Sequence, residues 1–246
     1  MRQHRTTEPA LVVTGVNPVL ELLRSGAPVE RLVIGPGPRR AELVSESRRR
    51  GVAHVEGDRA TLDRLAGRGG HQGTVAYAPP FRYRALEDVD VAGARCILVL
   101  DGIQDPRNLG AILRTARAAG VGGVVLPQDR SCGITSLVVG ASAGTLFGLR
   151  IARVPNLVQA MKRLKAKGFW LTGLVPAATR SLFELVDLDR VALVVGGEGD
   201  GLRPLVRRTC DFEVRIPMAT GVESLNVSVA AGVALFELCR KTGQLP

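Results

Sequence analysis

From residue 96 onward the chain alternates between continuous apolar runs and stretches with helical spacing. The apolar runs are CILVL (96–100), VGGVVLP (121–127), LRIARV (149–154), FWLTGLV (169–175), VALVVGG (191–197) and DFEVRIP (211–217). Short apolar runs bounded by Gly or Pro predict strands buried on both faces. Between them, NLGAILRTARAAG (108–120) carries an apolar stripe at Leu109, Ile112, Leu113 and Ala116, with Asn108 as the expected N-cap and Gly120 as the stop. NLVQAMKRLKAKG (156–168) is amphipathic and capped by Asn156, and SLVVGASAG (136–144) is a helix or a turn. The last block predicts a core helix built on Val227, Val229, Ala230, Ala231, Val233, Ala234, Leu235, Phe236 and Leu238. Strands alternating with helices predict an α/β fold with a mainly parallel sheet. Such sheets bind ligands in loops at the carboxyl ends of strands, which singles out loops 101–108, 196–201 and 217–226.

A smaller alternating pattern occupies residues 15–78. GVNPVLELLRSG predicts a helix with Asn17 as cap, Pro18 at the first helical position and Gly26 at its end. VERLVIG, VAHVE and TVAYA read as strands. PRRAELVSESRRRG, closed by Gly51, and DRATLDRLAG, capped by Asp58, read as helices, and GRGGHQG as a glycine-rich basic loop. Residues 79–95 break the pattern with two prolines and mixed charge. The expected division is a basic tail and small domain over 1–78, a linker over 79–95 and a larger domain over 96–246.

Hydrophobic residues form 46% of the 246, enough for a substantial core, and no apolar run approaches the roughly eighteen residues of a membrane span. MRQHRTTEPA is basic without an apolar stretch behind it, so no secretion signal is expected. Cys96, Cys132, Cys210 and Cys239 form no CxxC pair, and His4, His54 and His71 form no HExxH. Neither disulfides nor a metal site is expected, and the thiols suit a reducing, cytoplasmic setting. Thirty-three Lys and Arg against 23 Asp and Glu give +10. That excess fits a polyanionic partner, most simply nucleic acid, or else a surface of solvated arginines.

The loops narrow the chemistry. GGEGDGL (196–202) follows a strand, but it fails GxGxxG at Leu202, and Glu198 and Asp200 would repel a pyrophosphate. It is a plain turn with solvated acids, or the wall of a site for a ligand with positive charge and polar donors, such as S-adenosylmethionine. Arg114 and Arg117 share one face of helix 108–120, either as solvated cations or as a phosphate-binding or catalytic arginine near the cleft. In IPMATGVESLNVS (216–228), Ser224 as N-cap accounts for one of three polar groups. Asn226 and Ser228 would stand about 200° apart on a regular helix, so one or both belong to the turn before it.

LDGIQDPRNLGAILRTARAAGV, LVVGGEGDGL and IPMATGVESLNVSVAAG, in that order and spacing, resemble the SpoU branch of the SPOUT methyltransferases, the RNA ribose 2'-O-methyltransferases. The resemblance covers nearly the whole chain and is greatest to bacterial enzymes acting on a guanosine ribose in 23S rRNA. It implies an L30e-like substrate-binding domain over 15–78 and a catalytic domain with a C-terminal deep trefoil knot, a topology that no pattern reading would propose. It also implies a homodimer and S-adenosylmethionine as cofactor. By motif, Gly196, Gly197, Gly201, Ile216, Leu225 and Ser228 would contact the cofactor. Asn108, Arg114, Glu198, Ser224 and Asn226 would form the catalytic set, with Arg114 reaching the partner subunit's site.

The reaction so implied is an in-line displacement by the ribose 2'-oxygen on the sulfonium methyl, with no metal. Guanidinium does not readily lose a proton, so Arg114 is expected to stabilise the alkoxide or orient a phosphate while Glu198 or water takes the proton. RNA contacts are expected from Arg39, Arg40, Arg48, Arg49, Arg50 and Arg68. With six Phe, two Tyr and one Trp, extensive base stacking is not expected. The competing readings are the same reaction on tRNA, a non-catalytic rRNA-binding assembly factor and a nucleotide-dependent dehydrogenase.

Overall fold

A computed structural model describes residues 9–67, 70–89, 93–186 and 188–245. The chain forms two compact units, Met1–Arg82 with Ile134–Gly148, and Tyr83–Gly133 with Leu149–Pro246.

The first unit holds β1 (Leu11–Thr14), α1 (Val16–Ser25), β2 (Arg31–Ile34), α2 (Arg40–Arg49), β3 (Val55–Glu56), α3 (Arg59–Ala66), β4 (Thr74–Ala78) and α6 (Ser136–Ala141). Its four-stranded sheet runs β1-β4-β2-β3, with only the β2–β3 pair parallel. The LVVT run of β1 follows the tail directly, too short to separate from it by pattern. Asp58 caps α3 as expected, accepting from the Thr61 N–H at 2.9 Å. Asn17 does not cap α1: the cap is Gly15, whose φ of 93° a side chain would strain, and Pro18 lies in the helix. The Ser136 hydroxyl of α6 accepts from the Val12 N–H of β1 at 2.8 Å. Gly144, in the turn after α6, lies so close to α1 that a Cβ would sit 2.5 Å from Pro18 Cα.

The second unit holds α4 (Leu86–Val89), β5 (Cys96–Asp101), α5 (Pro106–Ala118), β6 (Gly123–Pro127), β7 (Ile151–Val154), α7 (Leu157–Ala166), β8 (Trp170–Leu174), β9 (Val191–Gly196), α8 (Pro204–Thr209), β10 (Phe212–Val214) and α9 (Val227–Lys241). Its six-stranded sheet, ordered β10-β8-β9-β5-β6-β7, is parallel throughout. The central strands β5 and β9 are buried along their whole length, so each apolar run packs on both faces. One core cluster joins Ile97, Val99, Ala192 and Val194 to Met161, Leu164 and Val206. Asn156 caps α7 by accepting from the Gln159 N–H.

Helix α9 departs from expectation. Val227, Ala231, Ala234, Leu235 and Leu238 are buried, but Val229, Val233 and Phe236 are 52%, 36% and 46% exposed in the single chain. Ser224 and Asn226 are exposed too, so their polar groups carry no burial penalty here. Cys96 and Cys239 are buried free thiols, and Cys132 and Cys210 are half-buried ones. Among the described residues, no helix is long and apolar enough to cross a membrane.

Candidate active site

The carboxyl ends of β5, β9 and β10 lie on one edge of the parallel sheet, and their loops meet the first turns of α5 and α9. Two adjoining clefts open there. The polar one, about 350 Å³, is lined by Asp101–Asp105, Asn108, Arg130, the 197–201 loop and Arg203. The apolar one, about 460 Å³, is walled by Leu174, Pro176, Ile216, Met218, Leu225 and Ala230, with Ser224 and Asn226 at its rim. Gly197, Glu198, Gly201 and Val227 line both and form the ridge between them.

The helix caps account for the polar groups at this ridge. Asp105, not Asn108, caps α5, accepting from the Arg107 N–H at 2.8 Å, with Pro106 at the first position. This leaves the Asn108 amide free to reach across the cleft. Asn226, not Ser224, caps α9. Its Oδ1 accepts from the Ser228 backbone N–H at 2.9 Å and from the Ser228 hydroxyl at 2.6 Å. Asn226 and Ser228 therefore meet because one lies outside the helix and the other inside it. A backbone N–H can only donate, so this cap fixes the direction of the remaining bonds. Asn226 Nδ2 donates to Asn108 Oδ1 at 3.2 Å, and Asn108 Nδ2 donates to Glu198 Oε1. The network ends on a carboxylate whose second oxygen has no hydrogen bond among the described residues.

Close packing holds the Glu198 loop in shape. A Cβ on Gly196 would collide with the Gly201 carbonyl, and one on Gly197 with the Gly102 carbonyl. Gly199 and Gly201 sit at φ 88° and 63°. All four glycines of GGEGDG thus serve the turn itself. Beneath it, Asp101 is wholly buried and accepts from Arg203: from its backbone N–H at 2.9 Å and from its guanidinium at 2.6 Å. That pair ties the end of β5 to the far end of the Glu198 loop. The sequence reading missed it, although an Asp closing an apolar strand was a legible signal. The reading also missed Arg130, on the loop after β6. Its φ is 59°, a left-handed conformation costing an arginine about 1–3 kcal/mol. The Ile103 carbonyl anchors that loop by accepting from the Cys132 N–H at 3.0 Å and the Ser131 hydroxyl at 3.2 Å.

The remaining expected residues lie elsewhere. Arg114 is exposed on α5, six residues beyond Asn108, lines neither cleft, and its side chain forms no hydrogen bond or ion pair among the described residues. Arg39, at the N-cap of α2, and Arg49, at its end, pair with Glu42 and Glu46 of that helix, Arg40 pairs with Glu56, and Arg39 also donates to Asn17 at 2.6 Å. Hydrogen bonds from these arginines hold Glu42 and Glu46 below the usual carboxylate range. Arg48 and Arg50 have no such partner among the described residues. Arg68 and the tail over 1–8 lie outside the described residues.

The apolar cleft suits S-adenosylmethionine: it lies within the usual size range for a ligand site and has an apolar wall, with polar side chains and backbone groups at one edge. A model of RNA 2'-O ribose methyltransferase substrate binding matches residues 12–84, and one of the SpoU rRNA methylase family matches 95–236. The chain is 40% identical to the 23S rRNA (guanosine-2'-O-)-methyltransferase RlmB of Xanthomonas campestris, over 93% of its own length and 96% of that protein's. It is 42% identical to an uncharacterized tRNA/rRNA methyltransferase of Mycolicibacterium gilvum, over 97% and 79%. Among solved structures, an AdoMet-bound rRNA methyltransferase from Sinorhizobium meliloti superposes with a TM-score of 0.82 at 28% identity, over 98% of this chain and 90% of that one. The chain belongs to the SpoU rRNA methylase family.

Proposed function

We propose that this chain methylates the ribose 2'-hydroxyl of a guanosine in 23S rRNA, with S-adenosylmethionine as donor. The observation that carries the reading is the directed network Ser228–Asn226–Asn108–Glu198, which places one carboxylate on the ridge between an apolar and a polar cleft. When bound, S-adenosylmethionine supplies a methyl group activated by the sulfonium charge. Ile216, Leu225, Met218 and the backbone of Gly196–Gly201 would hold it in the apolar cleft, with Ser224 at the rim. Asn108 and Asn226 fix Glu198 in position, and its free oxygen can accept the 2'-hydroxyl proton as the oxygen attacks.

Arg114 acts in this reading from the partner subunit of a homodimer. The exposed stripe Val229, Val233 and Phe236 recurs at helical spacing on α9, which packs against α5, and supplies an apolar face for that contact. Arg114, exposed on α5 and unpaired among the described residues, would then orient a phosphate or stabilise the developing alkoxide. The L30e-like domain over 1–78 would guide the RNA, with 79–95 as linker and the catalytic domain over 96–246 carrying the knot. The setting is the bacterial cytoplasm.

The test is methyl transfer from labelled S-adenosylmethionine to unmodified 23S rRNA and to tRNA, with the modified ribose mapped. Transfer to one 23S guanosine is expected. Transfer to tRNA alone would move the substrate, and no transfer to either would sink the reading.

A further inference from the structure

Arg130 lines the polar cleft together with Glu198 and is exposed. It forms no hydrogen bond or ion pair among the described residues. The other charges lining this cleft are Asp101, Asp105, Glu198, Asp200 and Arg203. Arg203 is spent on Asp101, so Asp105, Glu198 and Asp200 leave an acidic wall. A nucleic-acid strand bringing a ribose to Glu198 must carry its phosphates past that wall. Like charges repel, and a cation placed among them offsets that repulsion. Arg130 is the unpaired cation among the described residues lining the cleft.

Its backbone gives a second, independent indication. At φ 59°, glycine would fit without strain, yet the position carries an arginine. The Ile103 anchors on Cys132 and Ser131 keep that loop against the 101–105 segment, so the side chain starts from a fixed point. We infer that Arg130 grips the phosphodiester beside the target ribose and offsets the acidic wall of the polar cleft. This rests on the ribose-methylation reading above and adds a substrate-positioning residue to it.

The experiment uses the full-length protein and its Arg130→Gly and Arg130→Lys variants, with unmodified 23S rRNA as substrate. KM for RNA and kcat are measured over a series of salt concentrations, S-adenosylmethionine affinity by calorimetry, and Tm by thermal melting. For Arg130→Gly we expect KM for RNA to rise about tenfold, with a salt dependence shallower by roughly 0.7–0.9 in log–log slope, the loss of one phosphate contact. Cofactor affinity should not change, and Tm should hold or rise because the left-handed strain is gone. Arg130→Lys should fall between the two. An unchanged KM, or a raised KM with an unchanged salt slope, would overturn the inference while leaving ribose methylation standing. Weaker cofactor binding in Arg130→Gly would also overturn it, by placing Arg130 on the cofactor's carboxylate. Absence of transfer by the unaltered protein would remove the underlying reading and this inference with it.

Discussion

The two clefts share one wall and little else. The apolar cleft is formed by side chains at the ends of β8 and β10 and the start of α9, whereas the polar cleft is formed by the loops after β5 and β6. The first offers surface to cover and the second offers charge. Binding in the apolar cleft should therefore follow buried area and resist salt, and binding in the polar cleft should follow salt. The ridge of Gly197, Glu198 and Gly201 belongs to both, so changes there should not discriminate between them.

The largest effect is expected at the base of the ridge, where β9 ends and the Glu198 loop begins. Gly196→Ala forces a Cβ into the Gly201 carbonyl. It should cost about 3 kcal/mol or more of stability by chemical denaturation and impair both clefts together. Loss of only one would show that they do not share this wall. Glu198→Gln should lower kcat about a hundredfold with cofactor affinity unchanged by calorimetry. Breaking the pair beneath the loop, Asp101→Asn should cost about 2 kcal/mol. That is below the usual figure for a buried pair because Arg203 keeps 36% of its side chain in solvent. It should weaken cofactor and RNA binding alike. Leu225→Ala sharpens the contrast in the other direction: cofactor affinity should fall about fivefold, and KM for RNA should not change.

The smallest expected effect is chemical. Burial pushes the Cys132 thiol, on the Arg130 loop, up to about 11, and the Cys210 thiol up to about 12. At pH 8 only about one Cys132 in a thousand would be thiolate. Alkylation of the native protein, read by mass spectrometry, should leave both unmodified. Rapid labelling of Cys132 alone would show that the polar cleft's loop opens.

The parallel sheet was legible because its strands are apolar on both faces and its helices keep one stripe, patterns that local sequence must carry. The caps were legible where they do nothing else, as at Asp58 and Asn156. They misled at Asn108 and Ser224 for a physical reason. A second capping residue stood nearby, Asp105 and Asn226 respectively, and spacing does not say which of the two serves the helix. At Asn108 the surplus group is the one that enters the site. Three of the expected RNA-binding arginines turned out to have glutamates within reach, at Glu42, Glu46 and Glu56. The first two of these pairs were available at i,i+3 spacing. Asp101 with Arg203, and Arg130 at the cleft, depend on residues far apart in sequence, and Arg130 also on a backbone angle that composition does not reveal. Which apolar positions of α9 stay exposed, Val229, Val233 and Phe236 among them, was not legible from pattern, since an exposed apolar face has the same composition as a buried one.

The first unit is completed by residues 134–148, which lie between β6 and β7 in the chain. A gene fragment ending at residue 82 would leave the Val12 N–H without the Ser136 hydroxyl and α1 without the turn at Gly144. The first unit is therefore not a cassette that can be cut out or transplanted at a single junction. Fragment expression, domain exchange or a fusion at that boundary would have to carry the 134–148 excursion along with it.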